Sequence, residues 1–325
     1  MGFTWRDGRL LNFLLIIMGP TGAGKTETAL CLLKRIKGEI ISADSRQIYK
    51  GMDIGTDKVS SEIRKNFPHH LLDVADPGEV FTVADFKREA EKIIRELQAE
   101  GKLPVVVGGT GLYIRAITEG IFPGPGANWS LRKKLHFRAK KEGLLSLYRE
   151  LQRVDSASAS RIHPHDERRI VRALEVYYLT GEPISSHQER NVPCEGKMVK
   201  IGLRWRRETL YRIIEERVDN MMEKGLVDEV KGLLDKGYTE NLPSMQAIGY
   251  KQIVNYLKGK LSLDEAIRQI KRDTRRFAKR QLTWFKKEKD VIWLDREKYP
   301  SPEEVADKIV RILLQKIPDA KRVIK

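Results

Sequence analysis

Gly19-Pro20-Thr21-Gly22-Ala23-Gly24-Lys25-Thr26 follows directly on the apolar run Phe13 to Met18. No other feature constrains the fold so tightly. Gly-x-x-x-x-Gly-Lys-Thr is the spacing of a P-loop, in which glycines let successive backbone N–H groups curl around phosphate oxygens. Lys25 brings a cation to the same group, and the Thr26 hydroxyl can ligate a magnesium ion. Ala29, Leu32, Leu33 and Ile36 then share one face of a helix running from Lys25 to Lys37. Strand, loop and helix in this order predict a polyphosphate ligand at the helix N-terminus.

The loop alone does not require phosphoryl transfer. Enzymes of that kind have a second apolar strand ending in an Asp that helps to hold magnesium. Here the second strand, Leu103 to Val107, runs into Gly108-Gly109-Thr110-Gly111, with no carboxylate. The nearest acid is Asp44, closing the strand Glu39 to Ala43 in the segment Asp44-Ser45-Arg46-Gln47. If these strands lie parallel in one doubly wound sheet, the P-loop, Asp44 and Thr110 emerge at its carboxyl edge, where such folds bind ligands. Taken singly, Asp44-Ser45 is also a turn initiator and the glycine pair a packing device.

Strand and helix alternate through the first third: Phe13 to Met18, the helix after Lys25, Glu39 to Ala43, His70 to Val74, a helix over Val83 to Glu100, and Leu103 to Val107. The alternation predicts the α/β class, with a P-loop NTPase-like parallel sheet core. Composition breaks at Phe122-Pro123-Gly124-Pro125-Gly126-Ala127-Asn128, a hinge. A charged helical block follows, ending in a helix with Pro164 near its start and Gly181 just past its end. A loop from Gly181 to Lys197, with Pro183, Pro193 and Gly196, leads to Met198 to Trp205, a strand able to rejoin the sheet. The block is therefore an insertion: 12–122 and 198–316 form the catalytic core, and 123–197 the helical insertion. Helical patterns fill Glu208 to Gln281, broken near Gly237 and Asn241-Leu242-Pro243, and Asp290 to Leu294 offers a last strand.

The 325 residues carry 61 Lys+Arg against 45 Asp+Glu, a formal net charge of +16 that favours a polyanionic partner such as nucleic acid. Between Arg268 and Lys289 ten basic residues face only Asp273 and Glu288. Arg268, Arg272, Arg275 and Lys279 share a helix face, while Phe277, Trp284 and Phe285 are expected to anchor that helix in a core. The bland alternative is a solvated face. Arg168-Arg169-Ile170-Val171-Arg172 forms a second cluster, with Arg168 and Arg172 on one face and Ile170 and Val171 inward; Arg132, Lys133 and Lys134 extend it. Basic residues in both parts suggest a polyanion held between them.

Cys31 and Cys194 have no paired spacing, and His69-His70 and His163-Pro164-His165 lack a third ligand, so neither a disulfide framework nor a zinc or histidine metal site is supported. A reducing cytoplasm fits. Leu10 to Met18 behind Arg6 and Arg9 resembles a signal peptide only superficially: no small-residue cleavage site follows, and the P-loop needs that strand. Met1-Gly2 fails as a myristoylation signal because Arg6 occupies the Ser or Thr position, and no segment is long enough to span a membrane.

The P-loop, Ala43-Asp44-Ser45-Arg46-Gln47-Ile48-Tyr49-Lys50-Gly51-Met52-Asp53-Ile54-Gly55-Thr56, Val107-Gly108-Gly109-Thr110-Gly111-Leu112-Tyr113, Arg161-Ile162-His163-Pro164 with Arg172-Ala173-Leu174-Glu175, and Ile248-Gly249-Tyr250-Lys251-Gln252 occur in order. Thr274-Arg275-Arg276-Phe277-Ala278-Lys279-Arg280-Gln281-Leu282-Thr283-Trp284 completes the set. Together they resemble the bacterial tRNA dimethylallyltransferases, also called tRNA isopentenyltransferases, over nearly the whole chain. The resemblance implies transfer of a dimethylallyl group from its diphosphate to the exocyclic amine of the adenosine just 3′ of the anticodon, with pyrophosphate leaving. It implies Asp44 as base, Thr110 positioning donor or base, and Lys25 and Arg275 on the leaving group with Mg2+ on Thr26. The diphosphate would lie along Gly19, Pro20, Thr21, Gly22, Ala23, Gly24, Lys25 and Thr26. Contacts to the tRNA anticodon stem-loop are implied for Asp44, Ser45, Arg46, Gln47, Thr110, Arg132, Arg168, Arg169, Ile170, Val171, Arg172, Gln246, Ala247, Ile248, Gly249, Tyr250 and Lys251. A cytoplasmic monomer is expected. Eukaryotic relatives often add a zinc finger, for which this chain has no Cys/His set. A P-loop small-molecule kinase and a non-catalytic RNA-binding protein are the alternatives; the first leaves the insertion and basic helix unexplained, the second Asp44.

Overall fold

The computed structural model describes residues 11–122 and 124–325. Arg6, Arg9, Leu10 and the Met1-Gly2 start, with Pro123 of the hinge, lie outside the described residues. Six parallel strands form one sheet: β1 (Phe13–Met18), β2 (Gly38–Ser42), β3 (His69–His70), β4 (Leu103–Gly108), β5 (Lys197–Arg204) and β6 (Val291–Asp295), in the spatial order β3-β2-β4-β1-β5-β6. All six residues of both β1 and β4 are buried, the unbroken apolar run expected of a central parallel strand covered on both faces.

Register fixes the edge that matters. Met18 pairs with Gly108 and Gly202, and Ser42 pairs with Val107. The loops after β1, β2 and β4 therefore leave the sheet at the same level, putting the P-loop, Asp44 and Thr110 on one carboxyl edge. The strand after the helical block does rejoin the sheet, since β5 pairs with β1 from Phe13–Lys197 to Met18–Gly202. The P-loop helix (Lys25–Leu33) and the helix Pro302–Lys316 cover one face of β1 through Ala29, Leu32, Ile309 and Leu313.

The chain divides into two compact units, one from residues up to Thr118 together with Glu195–Lys325, the other Glu119–Cys194. The second unit is helical: Trp129–Glu142, Leu144–Val154, Ser156–Ala159, Glu167–Thr180 and Ile184–Glu189 pack Leu135, Leu147, Leu151, Ile170 and Leu174 into a core of their own.

Four local expectations differ from the structure. The strand expected over His70 to Val74 is only His69–His70, because Leu71 and Asp73 turn into the left-handed region at φ 61° and 55°. Lys58 holds Asp73 there at 2.6 Å. The helix expected near Pro164 starts at Glu167, where the Asp166 carboxylate caps it by accepting from the Arg169 N–H. The Gly181 to Lys197 loop contains the short helix Ile184–Glu189. Phe277, expected in the core, is exposed beneath Arg280, and Ala278, Gln281 and Phe285 form the buried face of its helix, Leu263–Phe285.

Candidate active site

The P-loop is held in shape by its own backbone. Ala23 N–H and the Lys25 ammonium both donate to the Pro20 carbonyl, at 3.2 and 2.8 Å. Gly24 turns the chain into the helix at φ 81°, a conformation costly to any residue with a Cβ. Gly22, Ala23, Gly24, Lys25 and Thr26 line a cleft of about 570 Å³, with Arg217, Ile213, Trp205 and Arg296 on other walls. Burial pulls the Lys25 ammonium down to about 8, an effect that the Asp44 carboxylate partly opposes and Arg217 reinforces. A lysine whose nearest acceptor is a carbonyl, in a site that favours its neutral form, is poised for an anion.

Not every P-loop position faces the cleft. Gly19 and Pro20 are buried, and the Thr21 N–H donates to Gln281 Oε1 at 2.9 Å while its hydroxyl accepts from Arg217 at 2.8 Å. These three shape the loop; the next five present it.

Asp44 and Thr110 come together behind the neighbouring strands. The Asp44 carboxylate accepts from the Arg46 N–H at 2.8 Å, an Asx turn that fixes the side chain. Thr110 N–H donates to the Ala43 carbonyl at 3.1 Å, and the Thr110 hydroxyl oxygen accepts from the Ser45 N–H at 2.9 Å. Arg46 and Gln47 have internal partners: Arg46 donates to the Pro243 carbonyl at 2.8 Å, and Gln47 to the Thr56 carbonyl at 3.1 Å.

Arg275, expected on the leaving group, is ion-paired with Glu215 and lies over the Tyr211 ring, and it is not among the residues that line the cleft. Arg217 lines the cleft, bonds Thr21 and sits 3.3 Å from Asp57. In the turn 246–251, Ala247, Gly249 and Tyr250 are buried, so they shape the turn; the Tyr250 hydroxyl donates to Glu229 at 2.5 Å. Gln246 is exposed, and Ile248 and Lys251 are half-buried.

The helical unit corrects the basic cluster in the same way. Ile170 and Val171 lie in its core and offer no surface. Glu175, 0 % exposed, receives Arg132 through two hydrogen bonds of 2.8 and 2.9 Å, Arg172 at 2.6 Å and the Asn128 N–H at 2.8 Å. Burial pushes the Glu175 carboxyl up, but these donors outweigh it and hold the group below the usual carboxylate range. Arg132 and Arg172 are thus bound internally, whereas Arg168 and Arg169 are exposed, Arg169 with Asp166 at 3.2 Å.

A family model described as IPP transferase matches residues 47–288. The chain belongs to the IPP transferase family. Relatives in it include the tRNA dimethylallyltransferase of Geobacter metallireducens, 50% identical over 284 residues covering 87% of this chain and 92% of the relative. That of Pelotomaculum thermopropionicum is 46% identical over 300 residues, covering 92% and 95%. Among solved structures, the tRNA isopentenylpyrophosphate transferase of Bacillus halodurans is similar at TM-score 0.68 and 42% identity, covering 94% of this chain and 98% of that one. A eukaryotic dimethylallyltransferase acting on tRNA is similar at TM-score 0.77 and 29% identity, covering 97% and 81%.

For an IPP transferase, the two residues that motif reading passed over are Arg217 and Gln281. Arg217 stands in a helix, Arg207–Glu223, that also carries Arg212, and spacing does not set the two apart. Gln281 was visible only as one letter of the basic motif. Among the described residues no cluster of three or more His, Cys, Asp or Glu could hold a metal, and no helix is long and apolar enough to cross a membrane.

Proposed function

We propose that this enzyme transfers the dimethylallyl group of dimethylallyl diphosphate to the exocyclic amine of the adenosine 3′-adjacent to the anticodon of tRNA, releasing pyrophosphate. One observation carries the reading: a P-loop with no acid at the end of β4, and with Asp44 and Thr110 joined at the same sheet edge through Ser45 and Ala43. A diphosphate leaving group needs a cradle, and the reaction needs no phosphoryl acceptor.

Lys25, Arg217 and the N–H groups from Gly22 onward hold the diphosphate and stabilise the charge that grows on its bridging oxygen as the C–O bond breaks. The exocyclic amine is a poor nucleophile because its lone pair is delocalised into the ring. Its nitrogen bonds to C1 of the donor, and Asp44 takes the proton released from that nitrogen. Thr110 fixes the Asp44-Ser45 turn, and the base reaches the edge by leaving its stack. Thr26 lines the cleft, and its hydroxyl would hold Mg2+, an ion that needs few protein ligands. Bound, the ion would neutralise leaving-group charge. Arg168, Arg169, Gln246 and Lys251 are the surface residues we assign to tRNA, and the cytoplasm is where that substrate would be met.

The test is incorporation of labelled dimethylallyl diphosphate into bulk tRNA, with label recovered on an adenosine next to the anticodon. ATP turnover with a metabolite acceptor and no label in RNA would favour a kinase and overturn the proposal.

A further inference from the structure

The helix Leu263–Phe285 carries seven lysines and arginines, yet its inner face holds a polar residue. Gln281 is 7 % exposed and lies between Ala278 and Phe285 on the buried side. A buried amide is costly unless both ends are bonded, and a leucine or methionine would pack there without that cost. Both ends are bonded. Gln281 Oε1 accepts from the Thr21 N–H of the P-loop at 2.9 Å, and its Nε2 donates to the Gly109 carbonyl at 2.8 Å. Those partners stand 260 and 172 residues away in sequence.

The Gly109 end is built for this approach. A Cβ on Gly109 would lie 2.4 Å from Gln281 Nε2, so any larger residue expels the amide. One turn along, the Trp284 ring covers Gly111 so closely that a Cβ there would lie 2.3 Å from Nε1. Arg115 lies over that ring, 4.6 Å from its centroid, and donates to the buried Glu288 at 3.2 Å. Thr110 is therefore flanked by two glycines that the same helix pins.

We infer that Gln281 is a positioning residue: it sets the spacing between the diphosphate cradle and the Thr110-Ser45-Asp44 turn, and so the alignment of donor carbon and base. This rests on the reaction proposed above. The Thr21 N–H that it holds precedes the part of the loop lining the cleft, so its loss shifts the loop against Thr110 without stripping phosphate donors. Its effect belongs in kcat.

Gln281→Met keeps the packing and removes both hydrogen bonds. Gly109→Ala leaves Gln281 in the chain and displaces its amide, and it carries the test alone if the first variant does not fold. In full-length enzyme, each is expected to lower the single-turnover transfer rate by about 100-fold, the cost of a misplacement near 1 Å. Inorganic pyrophosphate inhibition and tRNA affinity should stay within about threefold. In a Thr110→Ala background, Gln281→Met should cost less than about a further threefold, because the two act through one arrangement. Additive losses in that background, pyrophosphate affinity falling in step with the rate, or an unchanged rate would each overturn the inference. Failure of the underlying reaction looks different, since the wild type itself would then leave tRNA unlabelled.

Discussion

The P-loop unit and the helical unit both concentrate arginine and lysine, and they use them in opposite ways. At the cleft, the Lys25 ammonium donates to a carbonyl and burial pushes it toward its neutral form, while Arg217 is shared between the Thr21 hydroxyl and Asp57, a carboxylate that is itself half exposed. In the helical unit, Arg132 and Arg172 converge on the buried Glu175, which already supplies the anion. Counting cations therefore misjudges binding capacity. What matters is whether the protein has built in the partner.

The largest effect should fall on the cleft side of this contrast. Asp44→Asn is expected to cut the rate of prenyl transfer by ~10²–10⁴-fold while leaving pyrophosphate and tRNA affinity within a few fold, as loss of a positioned base does. Turnover near wild type would remove Asp44 from the chemistry.

Next comes the counter-charge itself. Glu175→Gln should destabilise the helical unit by about 3 kcal/mol, the low end for breaking a buried pair, because Arg132 and Arg172 can each turn partly to solvent. Denaturant unfolding measures the loss. If those arginines were RNA ligands held in reserve, the variant would bind tRNA more tightly than wild type; weaker or equal binding is expected.

The third effect is a pH dependence. The free Lys25 ammonium loses its proton above about pH 8, whereas a bound diphosphate restores it, so binding takes up a proton in that range. Affinity for a non-reactive dimethylallyl diphosphate analogue should be full below pH 8 and fall by up to ~10-fold per pH unit above it. Lys25→Met should bind weakly and show no such slope. A wild-type profile flat to pH 10 would mean that the ammonium does not face the diphosphate.

The smallest effect separates exposed from sequestered arginines. Replacing Arg168 and Arg169 by Ala should reduce the log-log salt slope of tRNA binding by roughly 0.7 to 0.9 for each phosphate no longer gripped, with the chemical step intact at saturating tRNA. Arg132→Ala should leave the slope alone. Equal slopes for both sets would erase the distinction.

Sequence pattern reached the P-loop, the sheet and the convergence of Asp44 with Thr110 because backbone geometry writes those features locally: glycines where the chain curls, apolar runs where strands are buried. It did not reach Arg217 or Gln281, whose meaning depends on partners far along the chain. Nor does anything in the run Arg268 to Lys289 foretell that Arg275 pairs with Glu215 on another helix. Ile170 and Val171 were legible as inward-facing from spacing, yet the family motif carried them into the tRNA-binding set; their burial decides the matter. The His70 to Val74 strand failed because alternating hydrophobicity does not register the two left-handed residues that end it.

The pairing of β1 with β5 bears on how the chain is made. Phe13 must wait for Lys197 before the second flank of β1 is hydrogen-bonded, and Lys200 of β5 for Val291 before the sheet ends. The helical unit, continuous from Glu119 to Cys194 and dominated by neighbours in sequence, is complete on a ribosome before that closure. Loop-closure entropy makes such distant strand pairing slow. The nascent β1 thus spends much of synthesis with one edge bare, a window in which a chaperone, or another unfinished chain, can compete for the strand that carries the P-loop.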